Sequence, residues 1–142
     1  MSWQRWLVMA QESEVAAGLL AGNGIFRPAA SRYYYAAFQA ATAMLHYQGK
    51  LAPPIIEGIR WEHWGHDKTP KMISDNLKEI IPSQVKRRDL RGKLELLYRM
   101  RLFADYATQE VITKKQLDLL KRNARFIVKV ALQTTGGLEN KR

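Results

Sequence analysis

The segment Leu97-Tyr98-Arg99-Met100-Arg101-Leu102-Phe103-Ala104-Asp105-Tyr106 decides the fold. Read backwards from it, Leu97, Leu94 and Leu90 recur at steps of three and four, the spacing of one face of an α-helix. Arg101 lies four residues after Leu97, and Asp105 four after Arg101, so both extend the same inner line. An arginine directed at a core is costly to desolvate unless it is paired, and an aspartate one turn along is a suitable partner. The pair is therefore either an internal brace or part of a recessed polar site. The helix that carries it should run from about Gln84 to Ala107, with Gly92 as a weak spot.

Outward from this helix the chain reads as helical in both directions. On its C-terminal side, Thr113 and Gln116 have the spacing of a capping box. Leu117, Leu120, Ala124, Ile127, Val128 and Ala131 then mark a fifth helix that ends near Thr134. On its N-terminal side, Pro82-Ser83 closes a shorter third helix, with Thr69 as N-cap, Pro70 in the first turn and a stripe from Met72 to Ile81. Before it, Leu51 to Lys68 contains Pro53-Pro54 and no sustained period, so a connecting loop is expected there, with a helical turn near Trp61.

The first helix spans about Trp3 to Leu20 and stops at Gly22-Asn23-Gly24. The second starts near Pro28 and runs to Gln48, with Gly49 as its stop. Between Tyr33 and Tyr47 it is apolar almost all round, which marks a central helix contacted on several sides. No alternating strand pattern, repeat or low-complexity tract is visible. The reading is all-α: an antiparallel bundle of four to five helices in one domain, residues 1–134, with residues 135–142 as a flexible tail.

Composition narrows the chemistry. A chain of 142 residues with 46% hydrophobic content suits one core. Its apolar stretches are too short to span a bilayer, and its first residues lack a signal-peptide pattern, so a soluble, cytoplasmic protein without a membrane partner is expected. With no cysteine, disulfides and thiol-ligated zinc are excluded. The net charge of +10 is concentrated after residue 84, in Lys86-Arg87-Arg88, Arg99, Arg101 and the basic positions of the fifth helix. Such a distribution fits a polyanionic partner; it equally fits the solvated faces of two helices.

Arg32, at the head of the run Tyr33-Tyr34-Tyr35-Ala36-Ala37-Phe38, raises the same alternative on the second helix. Its stem could cover the end of the bundle while its guanidinium reaches water, or the guanidinium could contact phosphate. Tyr34 and Tyr35 read as core aromatics with hydrogen-bonded hydroxyls. His63 and His66, with Glu62, have a spacing that would suit a metal on a helical turn, but two ligands in a proline-flanked loop make a thin signal. No metal and no cofactor are expected.

Two segments together carry a family resemblance: Ala30-Ser31-Arg32-Tyr33-Tyr34-Tyr35-Ala36-Ala37-Phe38, followed by Ala40, Ala41, Ala43 and Leu45, and Leu97-Tyr98-x-x-Arg101-x-x-Ala104-Asp105-Tyr106. They resemble the prokaryotic HEPN domains (higher eukaryotes and prokaryotes nucleotide-binding). His66 and Ala124-Arg125-Phe126-Ile127-Val128 occupy similar places, so the resemblance extends from about Trp3 to Leu132. It implies a homodimer in which arginine-bearing helices of two protomers line one cleft, with RNA or a nucleotide as ligand. A toxin–antitoxin or defence setting is also implied, with an antitoxin or minimal nucleotidyltransferase as neighbour. It further implies metal-independent ribonuclease chemistry, driven by an arginine and a histidine four to six residues apart.

On that resemblance Arg101, Asp105, Tyr106 and His66 are the candidate catalytic residues. Arg32, Arg99, Arg101, Lys86, Arg87 and Arg88 are the candidates for binding nucleic acid or nucleotide. The sequence departs from the nuclease pattern at one point: Tyr106 stands in the histidine position. A phenol with a pKa near ~10 is a poor general base at neutral pH. Five residues also turn a helix by about 140°, so Arg101 and Tyr106 should not converge within one chain. Either His66 replaces the missing group, or the chain is a non-enzymatic nucleotide- or protein-binding partner of a nucleotidyltransferase.

Overall fold

The computed structural model describes residues 2–49, 64–107, 109 and 111–137, and the backbone of residues 55–56 and 59–60. Five helices are described: α1 (Trp3–Gly22), α2 (Phe26–Gln48), α3 (Thr69–Asn76), α4 (Gln84–Tyr106) and α5 (Lys114–Thr134). The chain is a helical bundle, as its periodicities require. Between α2 and α3, where a plain loop was expected, β1 (Ile55–Ile56) and β2 (Ile59–Arg60) form a minimal antiparallel pair, Ile55 opposite Arg60 and Ile56 opposite Ile59. Trp61, the centre of the expected helical turn, lies outside the described residues.

The bundle is organised around α2, which contacts all four other helices. Its buried positions include Ala29, Ala30, Ala36, Ala37, Ala40 and Ala41, whose short side chains let neighbouring helices approach closely. Larger groups fill the remaining volume, with Tyr33, Tyr34, Met44 and Leu45 among the most deeply buried. Gly49, at φ +67°, ends α2 in the left-handed conformation that glycine adopts without steric cost.

Local chemistry sets most of the other boundaries. Ser2 and Ser83 cap α1 and α4 by accepting the backbone N–H groups of Arg5 and Lys86. The expected capping box at the start of α5 is complete, with Gln116 N–H donating to Thr113 and Thr113 N–H donating to the Gln116 side chain. The start of α3 differs from expectation. Thr69 lies inside the helix, fully buried, and its hydroxyl donates back to the Gly65 carbonyl at 2.9 Å instead of capping. α3 also ends early, at Asn76, although Leu77 and Ile81 continue its apolar stripe into the core.

Arg87 holds that junction together. Only 8% exposed, it donates from Nε to the Ser74 carbonyl (3.1 Å) and from Nη1 to the carbonyls of Ile81 (2.7 Å) and Pro82 (2.9 Å). These are oxygens that the end of α3 and the following turn leave without a helical partner. After α5, the buried Thr135 donates from its hydroxyl to the Ala131 carbonyl, and Gly137 lies close to Leu7 and Leu132. No described helix is long and apolar enough to cross a membrane.

Candidate phosphate-binding site

The inner face of α4 carries Arg87, Leu90, Leu94, Leu97 and Ala104 as buried positions. Arg101 falls in the same phase, and its side chain is 17% exposed. Its Nε lies 3.1 Å from Asp105 Oδ2, but the pair is not aligned for a hydrogen bond, and Nε has no other acceptor among the described residues. The guanidinium also stands 5.3 Å from the centroid of the Tyr35 ring and 6.0 Å from that of Tyr34, within reach of their π-faces.

A second guanidinium reaches the same ring. Arg32 Cζ lies 4.9 Å from the Tyr35 centroid, and Arg32 has no hydrogen bond or ion pair among the described residues. Glu12 lines a hollow of about 330 Å³ with Arg32, but beyond ion-pair distance. Arg32 also opens on a cleft of about 540 Å³ between the start of α2 and the end of α4, lined with Arg27, Ser31, Ala104 and Asp105. Arg27, Arg32 and Arg101 thus stand near two carboxylates, Asp105 and Glu12, and these side chains together keep a net positive charge.

Arg27, which sequence reasoning missed, fixes the wall of this cleft. Its Nη1 donates to the Ala104 carbonyl at 2.8 Å and its Nη2 to the Ala107 carbonyl, so it caps the C-terminal end of α4 and ties it to the start of α2. No local sequence pattern could have disclosed a contact between positions this far apart. The register is shown only by the assembled bundle.

His66 joins the same cluster from the turn before α3. Its Nδ1 lies 2.5 Å from the Tyr34 hydroxyl. Its ring lies 4.3 Å from that of Phe38 and almost parallel to that of Tyr98, at an interplanar angle of 3°. Tyr35 meets it edge-on at 5.9 Å. The imidazole is thus enclosed by aromatic rings of α2 and α4, two of which also contact Arg101. Tyr34 is fully buried, and burial is the main cause that pushes its hydroxyl pKa upwards, reinforced by Tyr98 and Tyr35 and opposed by Arg101. That hydroxyl keeps its proton throughout the physiological range.

The remaining candidates do not converge. Tyr106 is 70% exposed and turned away from Arg101, as their helical phase requires. Within the protomer it does not join the cluster. Arg87 is corrected from a nucleic-acid contact to a buried structural donor, because its guanidinium is already occupied by three carbonyls. Lys86 and Arg88 are exposed on the first turn of α4, roughly 20 Å along the helix from Arg101. Arg99 is exposed as well and does not enter the cluster. Of the proposed metal ligands, Glu62 and His63 lie outside the described residues; among the described residues no group of three metal-binding side chains occurs.

The arrangement brings together two incompletely paired guanidiniums, one carboxylate, a buried phenol and an imidazole. It can grip an anion and stack against a flat group. No protein-family model and no curated protein matches this chain.

Proposed function

We propose that the chain is a HEPN-type module that binds the phosphate backbone of RNA, or the phosphate of a nucleotide, between Arg32 and Arg101. The observation that carries this reading is the approach of both guanidiniums to the Tyr35 ring, with Asp105 paired to Arg101 and lining one cleft with Arg32. Both guanidiniums place positive charge beside one ring, and an anion that reaches both is attracted by each. Arginine forks suit phosphate because they present paired donors in a fixed plane. The exposed cations of α4 and α5 add a diffuse attraction for a polyanion.

The reading is one of binding in preference to cutting. Cleavage through the 2′-hydroxyl needs a base as well as a cation for the developing charge. Tyr106, in the histidine position of the nuclease pattern, is exposed about 140° round α4 from Arg101, and a phenol is a poor general base at neutral pH. This supports a role as an RNA- or nucleotide-binding subunit, in a homodimer and beside a nucleotidyltransferase or antitoxin partner in a toxin–antitoxin or defence setting.

The test is fluorescence anisotropy with a labelled single-stranded RNA. Wild-type protein and Arg88→Ala should bind with similar affinity, whereas Arg32→Ala and Arg101→Ala should weaken binding by roughly tenfold each, the effect of removing one charge-assisted hydrogen bond. Equal affinity across all four proteins would remove the site from RNA binding. A thermal shift with nucleotide but not with RNA would favour the nucleotide form of the reading.

A further inference from the structure

The contact between Tyr34 and His66 determines what the imidazole can do, and the reasoning begins with the phenol. Tyr34 is fully buried, and among the described residues its hydroxyl has a single hydrogen-bond partner, His66 Nδ1, at 2.5 Å. A buried O–H that lacks an acceptor loses the hydrogen bond it had to water, so the proton of Tyr34 must point at Nδ1. If Nδ1 carried a proton instead, the two hydrogens would oppose each other and the phenolic proton would be left without that acceptor. Burial also keeps Tyr34 from ionising, which excludes a phenolate accepting from Nδ1–H.

We propose that Tyr34 is a positioning residue that holds His66 in its Nε2–H tautomer, so that the neutral imidazole presents no free basic nitrogen to the site. The Nδ1 lone pair is taken by the phenol, and the other nitrogen already carries the proton. A flip of the ring by about 180° would keep its plane against Phe38 and Tyr98 but would take Nδ1 away from Tyr34 and leave the buried phenol without its acceptor. His66 therefore does not stand in for the missing nuclease histidine. This consequence rests on the phosphate-binding reading above, while the tautomer itself does not.

The experiment that separates the two is long-range ¹H–¹⁵N NMR of the uniformly labelled protein at pH 8 without RNA, with the His66 signals identified by their loss in His66→Gln. The proposal expects a protonated, pyrrole-type Nε2 and an unprotonated Nδ1 shifted by a strong hydrogen bond. In Tyr34→Phe, which keeps the ring and its packing, that Nδ1 shift should disappear. A wild-type Nδ1–H tautomer overturns the proposal, whatever the variant does. The second readout is product analysis of an RNA oligonucleotide incubated with the wild-type protein. No His66-dependent 2′,3′-cyclic phosphate should form; a cyclic product that vanishes in His66→Ala would also overturn it. Failure of RNA binding alone, with the Nε2–H tautomer observed, would instead count against the phosphate-binding reading.

Discussion

Arg101 and Asp105 stand one turn apart on α4 with Nε 3.1 Å from Oδ2, yet the contact leaves Nε without an aligned acceptor. A brace built only for stability would close this hydrogen bond. The half-made contact is better suited to a carboxylate that moderates a cation until an anion arrives. Two predictions separate these roles.

The first concerns the carboxylate alone. Asp105→Asn should change stability by no more than about 1 kcal/mol, because the pair is partly exposed and such pairs contribute little. It should nevertheless tighten RNA binding several-fold, since one negative charge leaves a site with two guanidiniums. Urea unfolding and anisotropy on the same preparation check both halves.

The second replaces both partners. Arg101→Met with Asp105→Leu should fold with near-native stability, because a half-buried pair contributes little and apolar side chains can fill its place, and should bind RNA more weakly. A double variant that unfolds, or that binds normally, would return the pair to the role of a structural brace.

Arg87 makes the opposite prediction. Arg87→Met removes three hydrogen bonds to carbonyls at the α3–α4 junction and should destabilise the fold by about 2–4 kcal/mol. RNA affinity of the folded fraction should not change. Chemical denaturation gives the first number and anisotropy below the unfolding transition the second.

The contrast between these two arginines shows how far the sequence could be read. Both follow the phase of Leu90, Leu94 and Leu97, and the phase alone placed Arg101 correctly. Arg87 has the same warrant, lying three residues before Leu90, but its neighbours Lys86 and Arg88 made it look like part of a solvated charge run. Its partners are carbonyls at the end of another helix, which side-chain patterns do not reveal. The capping box of α5 was legible because all its groups lie within four residues. Thr69 was misread as a cap because its hydroxyl prefers the Gly65 carbonyl, a choice fixed by the preceding turn. The approach of His66 to Tyr34 spans 32 residues and depends on how that turn lies across α2 and α4.

Alkaline pH should expose the buried phenols. Burial raises the pKa of both Tyr33 and Tyr34 above the ordinary value of 10.0; Glu14 and Asp118 add to the rise at Tyr33, with Arg125 opposing it. In the unfolded chain these groups ionise near pH ~10, while in the folded chain they hold their protons to higher pH. The unfolded state then binds fewer protons, so stability is level with respect to these groups below pH ~10 and falls above it, by up to about 1.4 kcal/mol per pH unit for each tyrosine. Tyr34→Phe should remove its share of that slope, as urea midpoints measured between pH 9 and 11 would show.

The most direct test of the central claim is the salt dependence of binding to a short single-stranded RNA. The account predicts a linear fall of log K with log salt, and a slope that flattens by roughly 0.7 for each phosphate that is no longer neutralised, in Arg32→Ala and again in Arg101→Ala. Slopes and affinities that are identical for the wild type and both variants would contradict it.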